Sequence, residues 1–158
     1  TLVEWEKKYP EFLLVTQNVD GLHQRAGSRK IVCLHGNLLE VRCLRTDKVL
    51  DRPNSFQTVP PLCKCGSMLR PHIVWFGEAL YPGTMETAIS AVRNADVLVV
   101  VGTSLAVYPA ASMVPYALNE NVPVIEINPE RSDFSNSTIF LKGPSGTILP
   151  DLQRAVLD

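Results

Sequence analysis

The sequence predicts an α/β protein with a doubly wound, mostly parallel sheet. Short apolar runs of the kind that form buried strands recur along the chain, and each ends abruptly in polar or glycine-rich residues. Helical segments alternate with these runs, as they do where crossover helices join parallel strands. The strand-like runs are residues 12–15, 31–34, 96–101, 122–127 and 138–141.

Four segments carry the apolar spacing of amphipathic helices. The chain opens and closes with such a segment, and a third is predicted to end at the stop signal Asn94. A fourth is predicted over residues 108–119, with Pro109 near its first turn and Pro115 bending it or ending it early. The apolar positions that mark the first three are Leu2, Trp5 and Tyr9; Leu149, Leu152 and Val156; and Met85, Ala88, Ile89 and Val92.

Residues 38–72 differ in character from the rest of the chain. They lack a long amphipathic period and hold three of the four cysteines together with Pro53, Pro60, Pro61 and Pro71. We expect a small irregular module here, inserted between sheet elements and able to be held together by a metal ion. Residues 1–37 and 73–158 then form the sheet domain, which includes a β-prone run over residues 73–78.

Composition excludes several classes of protein. Of the 158 residues, 46% are hydrophobic and 20% charged, and the net charge of −1 gives no general attraction to nucleic acid or to an anionic membrane. The longest apolar runs are too short to span a bilayer, and the first nine residues do not form a signal peptide. We therefore expect a cytoplasmic protein whose cysteines are thiols or metal ligands rather than disulfides.

The polar residues that end the strands define a candidate ligand site. In open α/β sheets, ligands bind in the crevice at the carboxyl ends of the parallel strands. Small residues there let a phosphate or ribose approach backbone amide donors, so the pattern favours a nucleotide, most simply a dinucleotide, although no G-x-G-x-x-G fingerprint is present. Ordinary turns rich in Asn, Asp and Gly are the alternative. The residues concerned are Gln17, Asn18 and Asp20; His35 and Gly36; Gly102, Thr103 and Ser104; Asn128; and Ser145 and Gly146.

His35 is the histidine that stands at a strand end beside a glycine. A neutral imidazole can take a proton from a sugar hydroxyl near ambient pH, which makes His35 the candidate base. A histidine that merely caps a turn is the alternative. His23 and His72 are expected to be structural.

These residues also resemble a known family, the sirtuins, which are NAD-dependent protein lysine deacylases. Their signature segments are the pattern T-Q-N-I/V-D-x-L-H-x-x-A-G, the L-H-G that carries the catalytic histidine, the substrate-binding R-P-x-I/V-V-x-F-G-E and later cofactor motifs. The resemblance runs nearly end to end and is closest to bacterial and mitochondrial-type members. The matching residues are 16–27, 34–36, 69–78, 102–104 with 107–110, and 126–128.

The resemblance implies a reaction. NAD would lie across the crevice, and the oxygen of an acetyl- or succinyl-type acyl-lysine would attack the ribose carbon as nicotinamide leaves. His35 would be the general base that activates a ribose hydroxyl. The products would be the deacylated lysine, nicotinamide and O-acyl-ADP-ribose.

The resemblance also implies roles for other residues. Asn18 and Asp20 would line the nicotinamide pocket, and Gln17 would hold the nicotinamide ribose. The substrate peptide would be bound as an added strand, through main-chain hydrogen bonds. The residues implied for the adenosine side are Gly102, Thr103, Ser104, Asn128 and Ser145, and those for the peptide are Val74, Phe76, Gly77 and Glu78.

Two features depart from the family pattern. The opening strand and glycine-rich loop of sirtuins are not in this sequence, which corresponds to the carboxyl-terminal two thirds of a catalytic core. Sirtuins also usually carry two C-x2-C pairs that form a four-cysteine, zinc-ribbon-like site. Here Thr46 stands where the partner of Cys43 would be, and the second pair is the tight Cys63-Lys64-Cys65. Zinc held by Cys43, Cys63 and Cys65 with an outside fourth ligand, and a degenerate metal-free module, both stay open; Cys33 is expected to be a core thiol.

Two rival functions also stay open. A sirtuin-like NAD hydrolase or ADP-ribosyltransferase would need no peptide groove, and the substrate motif over residues 74–78 argues against it. The second rival is a non-catalytic module that binds NAD or an acylated peptide without turnover.

Overall fold

The computed structural model describes residues 1–134 and 138–157 and divides the chain into two compact units. The first unit combines Thr1–Leu13 with Met85–Asp158, and the second is Leu14–Thr84. In chain order the elements are α1 Leu2–Lys8, β1 Leu14–Thr16, α2 Leu22–Ala26, β2 Ile31–Cys33, β3 Gly36–Cys43, β4 Val49–Asp51, β5 Leu69–Ile73, α3 Thr84–Arg93, β6 Leu98–Val101, a 3-10 helix Ala110–Ser112, α4 Met113–Asn119, β7 Val124–Asn128, β8 Ile139–Lys142 and α5 Ser145–Leu157.

The first unit contains a three-stranded parallel sheet in the order β6-β7-β8. The central strand β7 has four of its five residues buried, as expected of a strand covered on both faces. The core of the first unit is built from small and β-branched side chains, which pack densely between the sheet and the helices. The buried cluster consists of Val92, Val100, Val114, Ala117, Val122 and Val124.

The second unit contains two small sheets. Strands β1 and β2 form a parallel pair joined through α2, and β3, β4 and β5 form an antiparallel sheet in the order β4-β3-β5. The predicted α/β class is confirmed by the parallel pairing in both units. The opening helix, α3 and the closing helix are confirmed as well.

The prediction that residues 38–72 are irregular was wrong, because they hold most of an antiparallel sheet. The longest strand of the described chain is β3. In its second half burial alternates along the strand: Val41 and Cys43 are buried, and Glu40 and Arg42 are partly exposed. Pro71 lies within β5, which is an edge strand, where a residue without an amide donor costs no ladder hydrogen bond.

Two other boundaries also differ from prediction. The β-prone run over residues 73–78 is not a strand, since β5 ends at Ile73 and a turn follows. Pro115 does not end the helix that contains it. It is the third residue of α4, in the first turn, where a backbone amide has no helical partner to lose.

Within the described ranges, no helix has both the length and the apolar composition needed to cross a bilayer.

Candidate active site and metal centre

The loop after β1 is tied to the segment after β2 within the second unit. This arrangement joins the loop that carries Gln17, Asn18 and Asp20 to the chain segment that carries His35. Three polar contacts of 2.8 to 3.1 Å make the connection: Leu34 N to Thr16 O, His35 Nδ1 to Gln17 O, and Leu38 N to Val19 O.

The ring of His35 is half-buried and oriented by its contact with the Gln17 carbonyl. Because that carbonyl can only accept, the contact favours the tautomer with the proton on Nδ1, which makes Nε2 the basic nitrogen. This is the arrangement that a general base needs, with one nitrogen anchored and the other available for proton transfer.

Gly36 is required at the position after His35. Its φ of +80° lies in the left-handed region, and a Cβ there would come within 2.1 Å of the carbonyl oxygen of His72. Only glycine therefore allows β3 to start directly after His35 while pairing closely with β5.

Asn18 and Asp20 are exposed, and both take part in local turn contacts. The amide of Asn18 donates to the hydroxyl of Thr16 at 3.1 Å, and the carboxylate of Asp20 accepts from the amide of Leu22 at 2.9 Å, where α2 begins. The turn interpretation is therefore part of the local structure.

The segment predicted to bind substrate is a loop anchored next to His35. The amide of Val74 donates to the carbonyl of His35 at 2.9 Å. The side chain of Phe76 is fully exposed, and Gly77 has a φ of +85°. The loop thus offers backbone groups and the exposed rings of Trp75 and Phe76 to solvent.

Glu78 closes this loop. Its carboxylate accepts two hydrogen bonds from Arg70, at 2.6 and 3.0 Å, and a third from the amide of Trp75 at 3.0 Å. The Arg70 guanidinium and the Trp75 amide hold the pKa of Glu78 down at about 2. The side chain of Glu78 therefore shapes the loop, a role that the sequence motif alone did not indicate.

A second polar cluster lies at the carboxyl ends of β6 and β7 in the first unit. The side-chain amide of Asn128, which is buried, donates to the carbonyl of Thr103 at 2.8 Å. The amide of Gly102 donates to the carbonyl of Ile127, and that of Gly143 to the carbonyl of Asn128, both at 3.0 Å. The predicted residues of this group are thus gathered by strand pairing, and Ser145 begins α5 two residues after Gly143.

Glu126 is a buried residue of this cluster whose structural role the sequence interpretation missed. The side chain is fully buried in β7 and accepts hydrogen bonds from the Asn128 amide at 3.0 Å and from the Ser132 amide and hydroxyl at 3.1 and 2.9 Å. These donors offset the cost of burying a carboxylate and fix the orientation of Asn128. The available signal was a carboxylate inside an otherwise apolar strand.

Three of the four cysteines form a candidate metal centre in the second unit. The sulfur atoms of Cys43, Cys63 and Cys65 all lie within 4.8 Å of one another, as expected of ligands that share one ion. The Thr46 hydroxyl, followed by the amides of Arg45 and Thr46, lowers the pKa of Cys43 to about 6. The donor set therefore fits a thiophilic cation such as Zn²⁺.

The residues expected to be structural have local packing partners. Cys33 is half-buried, accepts a hydrogen bond from the Gln24 amide at 3.2 Å and has its pKa raised by burial. The ring of His72 stacks on Tyr81 with 4.2 Å between centroids, and burial lowers its pKa.

An α/β protein with strand-end polar clusters, an anchored histidine and a cysteine-containing antiparallel module matches a known class. The family model described as "Sir2 family" matches residues 1–109. The chain belongs to the Sir2 family, the sirtuins.

Relatives and solved structures agree with this assignment. The chain is 43% identical to an "NAD-dependent protein deacylase" of Leptospira interrogans serovar Lai, over 99% of this chain and 65% of the relative. A structure described as a Sir2 homolog–NAD complex superimposes with a TM-score of 0.83 at 42% identity, covering 92% of this chain and 58% of that one. A structure described as "Sir2-p53 peptide-NAD+" gives a TM-score of 0.87 at 31% identity, covering 98% and 67%. The chain thus spans less than two thirds of the length of the Leptospira relative.

Proposed function

We propose that the protein carrying this sequence is an NAD-dependent protein lysine deacylase. It removes acetyl- or succinyl-type groups from lysines and releases nicotinamide and O-acyl-ADP-ribose. One observation carries the proposal: His35 is anchored by the Gln17 carbonyl on one side and by the Val74 amide, at the start of the substrate loop, on the other. A proton acceptor and a peptide-binding segment are thus built from neighbouring residues.

His35 acts as the general base. Nδ1 is directed at the Gln17 carbonyl, and Nε2 takes a proton from a ribose hydroxyl of bound NAD. The half-burial of the ring supports this role, because a partly water-excluded imidazole is held in one orientation rather than rotating in solvent.

Each polar cluster contributes contacts to NAD, as the family motifs imply. Gln17, Asn18 and Asp20 serve the nicotinamide riboside end, since they lie in the loop that is bonded to the His35 segment. The cluster around Asn128 serves the adenosine end. The Asn128 side chain is held in place by its hydrogen bonds to Glu126 and to the Thr103 carbonyl. When bound, NAD supplies an electrophilic ribose carbon with nicotinamide as its leaving group. The adenosine-side residues of the proposal are Gly102, Thr103, Ser104, Asn128 and Ser145.

The substrate is a peptide segment containing an acylated lysine. The loop over residues 74–78 is not itself a strand, and it offers its backbone to an extended peptide as a strand would. Val74, Phe76 and Gly77 supply the contact surface, and Glu78 holds its shape through Arg70. A neighbour of this fold whose description names a p53 peptide together with NAD supports this class of partner.

The organisation and location of the protein belong to the same proposal. Residues 1–37 and 73–158 serve NAD, and residues 38–72 form the metal-binding module. A cytoplasmic location is supported by the four unpaired thiols, which are typical of a reducing compartment. The net charge of −1 supports a protein partner over nucleic acid or an anionic membrane.

Mass spectrometry of the reaction products tests the proposal on the complete protein. It is mixed with NAD and with matched acetyl- and succinyl-lysine peptides, and nicotinamide, deacylated peptide and O-acyl-ADP-ribose are quantified together. We expect the three products in equal amounts and their loss in a folded His35→Ala variant. Nicotinamide without deacylated peptide would identify the hydrolase instead, and NAD binding without any product would identify the non-catalytic module. Retained turnover in His35→Ala would overturn the base assignment.

A further inference from the structure

Tyr81 lies where the chain leaves the proposed peptide-binding loop. It follows the loop over residues 74–78 by three positions and precedes α3, which begins at Thr84. The carbonyl of Tyr81 accepts hydrogen bonds from the amide and the hydroxyl of Thr84, at 3.2 and 2.7 Å. The backbone of Tyr81 is therefore fixed at the start of this helix.

The side chain of Tyr81 packs on the antiparallel sheet. Its ring stacks on the ring of His72 in β5, with 4.2 Å between centroids and 23° between the ring planes. The guanidinium of Arg42 in β3 lies 5.5 Å from the centroid of the Tyr81 ring. Stacked aromatic pairs and contacts between a cation and a ring are attractive beyond the area that they bury. Residues of two neighbouring strands therefore hold this ring.

The rings of Tyr81 and His72, rather than their polar atoms, make this contact. The Tyr81 hydroxyl oxygen and the His72 Nδ1 are both buried, and neither has a hydrogen-bond partner among the residues that the structure describes. Because a buried polar atom without a partner lowers stability, hydrogen bonding does not explain how this pair is held. Phenylalanine at either position would keep the stack and remove the unpaired atom.

The stack joins the two ends of the loop. His72 stands two residues before Val74, where the loop opens, and Tyr81 stands three residues after Glu78, where it closes. The opening is also tied by the hydrogen bond of 2.9 Å from the Val74 amide to the His35 carbonyl. The stacked rings thus anchor the exit of the loop to the strand from which the loop starts.

We propose that Tyr81 is a positioning residue for the acylated peptide, a role that rests on the proposed deacylase function and is exerted through the stack on His72. A loop held at both ends presents its backbone to an extended peptide already in order, so binding does not have to supply that order. His35 keeps its place without the stack, because the pairing of β3 with β5 at Gly36 is made by the backbone. The stack therefore acts on peptide binding more than on the chemical step.

Steady-state kinetics of the complete protein test the proposal. Tyr81→Leu and His72→Leu each remove the stack and keep an apolar side chain. We expect either change to raise the KM for an acetyl-lysine peptide about three- to tenfold, the range expected of one aromatic pair, with kcat and the KM for NAD changed much less. The double variant should be no worse than either single one, since both lose the same contact. Tyr81→Phe and His72→Phe should retain the wild-type KM.

Hydrogen–deuterium exchange of the loop amides, followed by mass spectrometry, examines the same variants without any turnover. Exchange over residues 74–80 should be faster in both leucine variants and unchanged in both phenylalanine variants. Tyr116→Leu is the matched control: Tyr116 is also half-buried with a guanidinium, that of Arg93, 5.4 Å from its ring centroid, but it lies in the first unit. This control should change neither the exchange of the loop nor the KM for the peptide.

Three results would overturn the proposal. Unchanged exchange in the leucine variants would show that the loop is held without the stack. Faster exchange with an unchanged peptide KM would show that peptide binding does not depend on the order of the loop. A raised KM in the phenylalanine variants would assign the effect to the polar atoms instead of the rings. If the wild type deacylates no peptide, the proposed function fails, and the exchange comparison still decides whether Tyr81 holds the loop. Far-ultraviolet circular dichroism of each variant verifies folding.

Discussion

Arg70 and Glu78 form a two-hydrogen-bond ion pair across the loop that follows β5, at 2.6 and 3.0 Å. The guanidinium of Arg70 also stacks on the ring of Trp75, 4.0 Å from its centroid, and donates to the carbonyl of Ile73 at 3.0 Å. One side chain on the strand thus fixes both ends of the loop. The shape of the proposed peptide-binding segment depends on this pair more than on regular secondary structure.

Glu78→Gln is expected to raise the KM for an acylated peptide several-fold while changing kcat much less. The neutral amide cannot maintain both charge-assisted bonds to Arg70, so the loop has to be ordered again each time peptide binds. Steady-state kinetics of the complete protein at saturating NAD separates the two parameters. Glu11→Gln, at an exposed glutamate of the first unit, is the matched control. A fall in kcat at constant KM would show that Glu78 acts in the chemical step instead.

His72 is expected to make the protein less stable as the pH falls below neutral. Burial lowers the pKa of His72 from its ordinary value of 6.5, so the unfolded chain binds a proton there more readily than the folded chain. The stabilisation is complete above the unfolded pKa of about 6.5 and is lost as the pH falls from there through the lower pKa of the folded state. Urea unfolding between about pH 7.5 and 5.5 should show a steeper loss of unfolding free energy in the wild type than in His72→Phe.

The aromatic replacement keeps the stacking on Tyr81 and removes only the titrating group. Tyr81→Phe, which keeps His72 and the stacked pair, should retain the slope of the wild type. A constant difference between wild type and His72→Phe across this pH range would contradict the titration of His72 as the cause.

Gly36→Ala is expected to destabilise the protein more than Gly83→Ala. Both glycines have φ near +80°, where an alanine costs about 1 to 2 kcal/mol. A Cβ at Gly83 meets no atom within 4 Å, whereas at Gly36 it meets the His72 carbonyl at 2.1 Å. The extra loss of unfolding free energy in Gly36→Ala should be about 1 kcal/mol or more, from overpacking against backbone. Equal effects in denaturant unfolding would show that β3 and β5 separate without cost.

Glu126→Gln is expected to lower the unfolding free energy by about 1 to 3 kcal/mol, because an amide group would face donors that now bind a carboxylate. Glu130→Gln, at an exposed position just after β7, should change it by less than about 0.5 kcal/mol. Thermal and urea unfolding measure both values. A neutral effect at Glu126 would show that the charge of the carboxylate adds nothing to these hydrogen bonds.

The elements that the sequence predicted well are those with unambiguous periodicity. Apolar runs such as β6 and β7 form strands, and the amphipathic segment of α3 forms a helix, because local preference and the hydrophobic pattern agree. The antiparallel sheet over residues 36–73 was missed because its prolines suggested irregular chain. Pro71 is tolerated only through its edge position, a property of the assembled sheet that no local pattern contains.

In the candidate site, some residues were singled out from the sequence, whereas other contacts are visible only in the folded chain. His35, Asn18 and Asp20 were predicted from their place after strands, and the three thiols from their number and spacing. The Arg70–Glu78 pair joins residues eight apart across a turn, and the Glu126 network joins residues that are brought together by strand pairing and a turn. Such contacts depend on the folded path of the chain, so a motif can mark these residues without revealing what they bind.

Strand β3 starts at the residue after His35 and ends at Cys43, so one strand separates the proposed base from the candidate metal site. Inserting or deleting a single residue in such a strand would turn every following side chain to the opposite face. The irregular pairing between Asn37 and Val41 is the part of β3 best able to absorb such a change. Variation among natural relatives, and any engineered exchange of the cysteine module, should therefore alter the length of the turns beyond Cys43 and leave the length of this strand constant.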